Sequence, residues 1–375
     1  FVFSKENNIE MNVTDYMRRA IELAKRGEGG VNPNPLVGAV IVKDGQIIGE
    51  GAHLKYGSLH AERNAIKDAK EKGNDIKGAT IYVTLEPCCH HGHQPPCTEA
   101  IVEKGIKRVV IGSRDPNPLV HGKGAAFLKE HGIEVVEDFL RAECDELNAV
   151  FFHYITTKTP YVVMKCAESL DGKIATVTGE SKYISCEESR RSVMRMRNKY
   201  KAIMIGIGTA LADDPMLTCR LTEGKTRNPI RIVCDKNLRL PLESNLVKTA
   251  NEVPTIIACS NQVTDEAAGR FQERGITLIR CPLKKDEIDL TFLMKRLGEM
   301  EIDGILLEGG STLNASMLEA GLVNEVHLFI APMILGGRAK TIVEGDGVKM
   351  LSDAYRFSIK DVERCGSDIH LTLVR

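Results

Sequence analysis

Short apolar runs alternate with amphipathic stretches along nearly the whole chain, and no other feature restricts its fold as much. In the first half "LVGAVIV" and "QIIGEGAHL" have the residue types of strands, and "DG" between them puts Asp44-Gly45 at the tip of a tight turn. A helix is expected from about His60 to Lys72, then a strand at "ATIYVTL", a cysteine-rich loop and a helix from about Thr98. "RVVIGS", a helix near Lys123 to His131 and "IEVVE" continue the pattern. A helix from Thr14 to Lys25, stopped by "RGEGG", precedes it. Strands alternating with helices imply a sheet with helices on its faces, an α/β fold.

The 375 residues are too many for one ordinary domain and suit two. A helix-like stretch, "DELNAVFFHYITT", leads into "KTP" and a fresh strand, "YVVMKCAESLDGKIA", so the boundary is expected at Thr157–Pro160. That gives domains of residues 11–157 and 158–375, with Met11 as the expected start and the first ten residues set aside. The second half is again α/β: "KAIMIGIG", "PIRIVCD", "TIIACS", "ITLIR", "GILLEGG" and "EVHLFIAPMIL" are strand-like. Ligands in such sheets favour the carboxyl ends of strands.

Charge narrows the function. With 50 basic and 51 acidic residues the net charge is −1, which disfavours a broad grip on nucleic acid but permits a small anionic substrate held by a few local cations. No apolar run approaches the roughly 18 residues a membrane helix needs, and nothing near the start has the form of a signal peptide. Eleven scattered cysteines, an odd number, argue against a disulfide framework and for a reducing cytoplasm.

Two stretches carry chemistry in the first half. "HAE" begins at His60, and "LEPCCHHGHQPPC" runs from Leu85 to Cys97. His60, Cys88 and Cys97 offer one imidazole and two thiolates, a soft set that selects zinc over magnesium or calcium. Three protein ligands leave a fourth tetrahedral position for water, the catalytic pattern, and Glu62 at the first helical turn is placed to handle protons. His-x-Glu followed by Pro-Cys and a second Cys is the signature of zinc deaminases of nucleobases, although the eight residues between Cys88 and Cys97 exceed the usual spacing. Cys89 competes with Cys88 as a ligand, and a structural zinc closed by Cys89, His90, His91 or His93 is the alternative; plain buried cysteines without metal are another. Asn34 before a strand, His53 at the end of the next, and Asp115 and Asn117 in "SRDPNPLVHGKG" sit at adjacent strand ends, where polar groups can read a base or a sugar.

In the second half "LLEGGST" is a strand running into Gly309-Gly310-Ser311-Thr312 and then a helix, an arrangement able to hold a phosphate on backbone amides. It lacks the Rossmann spacing, and a plain turn is its alternative. "GIGTALADDPMLTCR" adds a second glycine turn with Gly208 and Thr209, then Asp213 and Arg220. Lys165 lies inside the first strand, an expensive place for an ammonium unless it has a partner or a job, or unless its head escapes to solvent.

The order "NPLVGAV", "HAE", "EPCCHHGHQPPC", "RDPNPLV", "SLDGKIA", "ADDPMLTCR" and "EGGST" resembles the bifunctional deaminase/reductase family of riboflavin biosynthesis, from about Thr14 to Arg375. The resemblance implies a cytidine-deaminase-like three-layer α/β/α domain followed by a dihydrofolate-reductase-like α/β domain. It implies zinc on His60, Cys88 and Cys97, with Glu62 as acid and base, and substrate contacts from Asn34, His53, His93, Asp115 and Asn117. In the second domain it implies NADPH on Gly208, Thr209, Gly309, Gly310, Ser311 and Thr312. Substrate phosphate would meet Ser181, Arg197 and Arg220, with Lys165, Asp213 and Glu308 near the reacting ribose. His93 stands where the family usually has Lys or Arg, and Tyr183 where it commonly has Trp. The implied partner is a small pyrimidine nucleotide, with no nucleic acid or membrane, and the family forms homo-oligomers. Two rival readings are a nucleic-acid or nucleoside deaminase with an accessory domain, and a zinc-stabilised nucleotide-binding protein without catalysis.

Overall fold

The computed structural model describes residues 12–90, 95–118, 120–222 and 226–375, and the chain divides into two compact units at Thr157/Lys158. In the first, the elements are α1 (Val13–Lys25), β1 (Gly38–Lys43), β2 (Gln46–Ala52), α2 (Ala61–Glu71), β3 (Thr80–Leu85), α3 (Cys97–Glu103), β4 (Arg108–Ser113), α4 (Lys123–Glu130), β5 (Glu134–Val136), α5 (Arg141–Leu147) and α6 (Ala149–Thr157). The β1–β2 turn takes Asp44 and Gly45 both to positive φ (50° and 75°), as a two-residue hairpin demands. Strand order is β2-β1-β3-β4-β5, antiparallel as far as β3 and parallel beyond it.

Alternation along the strands sends side chains to two cores. Ala39, Ile41, Ile81, Val83, Val109 and Ile111 pack on α2, α3 and α4, whereas Val40, Val42, Tyr82 and Val110 pack on α1 and Cys144 of α5. Gly51 makes the seat of α2 possible, because a Cβ there would lie 2.2 Å from the Ala61 carbonyl. That close approach fixes the helix start carrying His60 and Glu62. The helix expected through "DELNAVFF" is interrupted instead: Asn148 clips both the N–H (2.8 Å) and the carbonyl (2.9 Å) of Leu36 and separates α5 from α6.

The second unit contains β6 (Tyr161–Ser169), α7 (Glu187–Lys199), β7 (Ala202–Gly206), α8 (Ile207–Asp213), β8 (Ile230–Cys234), α9 (Asn245–Lys248), β9 (Thr255–Ser260), α10 (Asp265–Gln272), β10 (Thr277–Cys281), β11 (Leu283–Lys284), β12 (Glu287–Ile288), α11 (Leu290–Glu299), β13 (Gly304–Leu307), α12 (Ser311–Glu319), β14 (Glu325–Ala331), β15 (Ser358–Cys365) and β16 (Asp368–Val374). Its nine-stranded sheet runs β10-β9-β8-β7-β13-β6-β14-β16-β15, parallel up to β14 and antiparallel after it. The late strand β13 enters between β6 and β7, so the carboxyl ends of these three strands frame the point where strand order reverses.

Three local expectations change here. β6 stops at Ser169, whose hydroxyl donates to Asp171 (2.6 Å), and Gly172 turns at φ 77°. The glycine stretch "GIGT" is not a loop but the start of α8, capped by Gly206. β15 and β16, absent from the strand runs picked out above, form a hairpin turned at Gly366. Among the described residues no helix is long and apolar enough to cross a membrane.

Candidate active sites

Three segments converge in the first unit. His60 caps the start of α2, Cys97 opens α3, and Cys88 lies in the loop after β3. His60 Nδ1 is 3.5 Å from Cys88 Sγ and 3.4 Å from Cys97 Sγ, and the three donor atoms all fall within 4.8 Å of one another. On a tetrahedral zinc, sulfur at about 2.3 Å and nitrogen at about 2.0–2.1 Å lie about 3.6 Å apart, so the donor set and its spacing fit that ion. Neither Cys89 nor His90 joins the cluster, and His91 and His93 lie outside the described residues. The backbone N–H of Cys97 donates to Cys88 Sγ at 3.4 Å. Hydrogen bonds from Cys97 and then from His60 hold the Cys88 thiol well below its ordinary pKa, whereas burial raises that of Cys89.

Glu62 is 3% exposed, and burial followed by the nearby Cys88 pushes its carboxyl upward. His53, also buried, has Nε2 3.2 Å from the Asn34 amide nitrogen and Nδ1 3.1 Å from the Leu59 carbonyl. Those partners assign the proton to Nδ1, and burial favours the neutral ring. The His53 ring stands edge-on to that of His60 at 5.4 Å, which brings Asn34 and His53 beside the metal donors. Asp115 is buried and accepts from the Asn117 N–H (2.8 Å); burial lifts its carboxyl to about 6 against that bond, with Cys88 among the nearby charges.

The second unit holds a cavity of about 550 Å³ at the switch point. Lys165, Ser181, Arg197, Gly208, Thr209, Asp213, Glu308 and the whole Gly309–Thr312 turn line it. Arg220 lines a neighbouring cavity of about 770 Å³, which shares Lys165, Arg197 and Glu308. Register explains the gathering: Leu307 pairs with Met164 on one side and Met204 on the other, so Glu308 falls level with Lys165. The turn fits a dinucleotide cofactor. Gly309 and Gly310 have φ 76° and 30°, and a Cβ on either would meet Asn314 Oδ1 or Thr209 Oγ1 at 2.9 Å. Below the turn Asn314 is 4% exposed, and its Oδ1 has no protein partner on the cavity wall.

One expected phosphate ligand is otherwise engaged. Arg197 Nε and Nη2 each donate to Glu308 at 2.7 Å, and Nη1 donates to the Thr218 carbonyl at 3.1 Å. Burial works to raise the Glu308 carboxyl, but Arg197, then Lys165 and Arg220, outweigh it and hold it below the ordinary range. Arg190 was missed: it stacks on the Tyr183 ring at 4.4 Å beside Arg220. Glu86 and Asn314 were missed as well. The one legible trace of Glu86 is a charge directly after the uncharged strand "ATIYVTL", and that of Asn314 a polar residue among the apolar positions of α12.

The arrangement defines a zinc deaminase unit joined to a nucleotide-dependent reductase unit. Residues 11–113 match the cytidine and deoxycytidylate deaminase zinc-binding region, and residues 160–371 match the RibD C-terminal domain. Riboflavin biosynthesis protein RibD of Actinobacillus pleuropneumoniae is 53% identical over 97% of this chain and 96% of its own, and that of Escherichia coli K12 is 41% identical over 96% and 98%. The Thermotoga maritima structure described as a diaminohydroxyphosphoribosylaminopyrimidine deaminase/5-amino-6-(5-phosphoribosylamino)uracil reductase superposes with a TM-score of 0.84 at 40% identity, covering 96% of this chain and 98% of that one. This chain belongs to the RibD family, the bifunctional deaminase/reductases of riboflavin biosynthesis. Its cofactors are zinc in the deaminase domain and NADPH in the dihydrofolate-reductase-like domain.

Proposed function

We propose that residues 11–157 deaminate 2,5-diamino-6-ribosylamino-4(3H)-pyrimidinone 5′-phosphate and that residues 158–375 then reduce its ribosyl group to ribityl, giving 5-amino-6-ribitylamino-uracil 5′-phosphate. The observation that carries this reading is the buried Glu62 beside the His60–Cys88–Cys97 donors. When bound, zinc supplies a water ionisable near neutral pH and NADPH supplies the hydride. His60, Cys88 and Cys97 hold the metal, and Glu62 takes the proton from water and passes it to the departing amine. Asn34, His53, Asp115 and Asn117 orient the pyrimidine. In the reductase, Gly208, Thr209 and Gly309–Thr312 hold the dinucleotide, and Lys165 and Asp213 face the ribose. Glu308 lies beside them, with Arg197 keeping it ionised. Ser181 and Arg220 take the ribose phosphate. His93 is assigned to the deaminase substrate on resemblance alone.

The enzyme acts in the cytoplasm on a small nucleotide and takes no nucleic acid, a reading supported by eleven free cysteines and balanced charge, and it is a homo-oligomer on resemblance alone. The test follows ammonia release and NADPH oxidation on zinc-loaded protein given the diaminopyrimidinone ribosyl phosphate. Ammonia should appear first and NADPH oxidation only after it. Glu62→Gln should abolish both from this substrate while zinc stays bound. No ammonia from zinc-loaded protein would leave a non-catalytic nucleotide-binding protein.

A further inference from the structure

We propose that Glu86 is a positioning residue for deamination, setting the loop that carries Asp115 and Asn117 against the zinc donors. Glu86 is 4% exposed and immediately precedes Pro87-Cys88. Its carboxylate meets backbone N–H groups rather than a cationic side chain. Oε2 accepts from Asp115 (3.4 Å) and Gly122 (3.0 Å), the two ends of the loop. Oε1 accepts from Gly124 (3.0 Å) and Ala125 (3.2 Å), in the first turn of α4. The N-cap of α4 is Gly122, which has no side chain to offer, so Glu86, just past the end of β3, satisfies the helix start instead. Four backbone donors converge on the two oxygens of this one side chain, so it holds the helix start and the loop together.

A second observation ties the same segment to the metal loop. At Gly124 a Cβ would lie 2.1 Å from the Pro87 carbonyl, so α4 begins in direct contact with the residue before Cys88. One carboxylate therefore fixes where Asp115 and Asn117 stand relative to the first thiolate. A cap for α4 alone would need only Oε1; closing the loop at both ends uses Oε2 as well. Glu86 touches no reacting atom and acts through Asp115 and Asn117.

This inference rests on the proposal that Asn117 contacts the substrate, and a double-mutant cycle on the full chain separates the two. Glu86→Gln, Asn117→Ala and the double variant are assayed for zinc content and for deamination kcat and KM, with reductase turnover of separately deaminated substrate as the fold control. Glu86→Gln turns an amide toward two N–H donors. It should raise KM about tenfold with kcat within about threefold, full zinc and unchanged reductase turnover, and it should add less than its full effect to Asn117→Ala. Gly124→Ala, whose Cβ would collide with the Pro87 carbonyl and press on Glu86 Oε1 at 3.3 Å, displaces the same loop with the carboxylate chemically intact and should raise KM likewise. A Glu86→Gln enzyme with wild-type KM, one that loses zinc, or one whose KM effect adds in full to that of Asn117→Ala would overturn the inference. An Asn117→Ala enzyme with wild-type KM would instead overturn the assignment of Asn117.

Discussion

Arg197→Met should cost the reductase unit about 3–5 kcal/mol at neutral pH. That is the usual penalty for removing one partner of a buried ion pair and leaving the other charged. Both side chains are nearly buried, 10% and 12% exposed, and two 2.7 Å bonds join them, so solvent screens little of the loss. For a unit of 150–250 residues, about 2–4 °C per kcal/mol implies a melting temperature lower by roughly 6–20 °C. Circular dichroism is the suitable probe because the chain has no tryptophan, and added NADPH, which binds only the folded reductase, identifies which of two transitions moves. The pH dependence has a definite sign. In the wild type the folded carboxyl of Glu308 lies below its unfolded value of about 4.3, so the pair stabilises above that pH and its contribution fades as pH falls through the folded value. Without Arg197, burial dominates and raises the carboxyl, so protonation relieves the variant as pH falls. The gap between variant and wild type must therefore narrow on acidification from pH 7 toward 4. Arg197→Met with Glu308→Leu should recover most of the loss, since an apolar pair leaves no buried charge behind. A single variant within about 1 kcal/mol of wild type, or a gap that widens on acidification, would refute the reasoning.

Cys88→Ser or Cys97→Ser should empty the metal site while Cys89→Ser keeps one zinc per chain, as metal analysis of purified protein would read; a Cys89→Ser protein without zinc contradicts the ligand assignment. Arg231 is wholly buried without a carboxylate, its five N–H groups spent on Thr249, Thr255 and the carbonyls of Met216, Leu246 and Val253. Arg231→Met should strand the Met216 and Leu246 carbonyls at about 1–3 kcal/mol each when water cannot reach them, and a denaturant midpoint close to wild type would contradict this. Gly309→Ala places a Cβ 2.9 Å from Asn314 and should weaken NADPH binding by tenfold or more in a fluorescence titration, with deamination untouched.

Much of the architecture was legible because its signals are local. Hydrophobic period separates strand from helix, and Asp44-Gly45 and Gly309-Gly310 mark turns whose positive φ values other residues resist. The errors arise where a distant contact or an ambiguous local signal decides. The break at Asn148 depends on Leu36, more than a hundred residues earlier in the chain, and "GIGT" has turn residues but sits where a helix starts. "DIHLTLV" does alternate, so β16 was readable, whereas its partner β15 is exposed along nearly its whole length and carries almost no apolar pattern.

The sequence by itself determined the chemical inventory: one imidazole, two thiolates and a carboxylate in the first half, and a glycine turn, a strand lysine and several arginines in the second. Such residues are named by type and spacing, and a metal or a phosphate dictates both. What only the tertiary structure decided is which charges meet. Cys88 rather than Cys89 faces His60, Arg197 turns to Glu308 instead of standing free for a phosphate, and Glu86 reaches four amides of a distant loop. The reason is physical. A buried charge is tolerated only where partners surround it, and those partners come from segments that sheet register and helix packing bring together, not from neighbours in the chain.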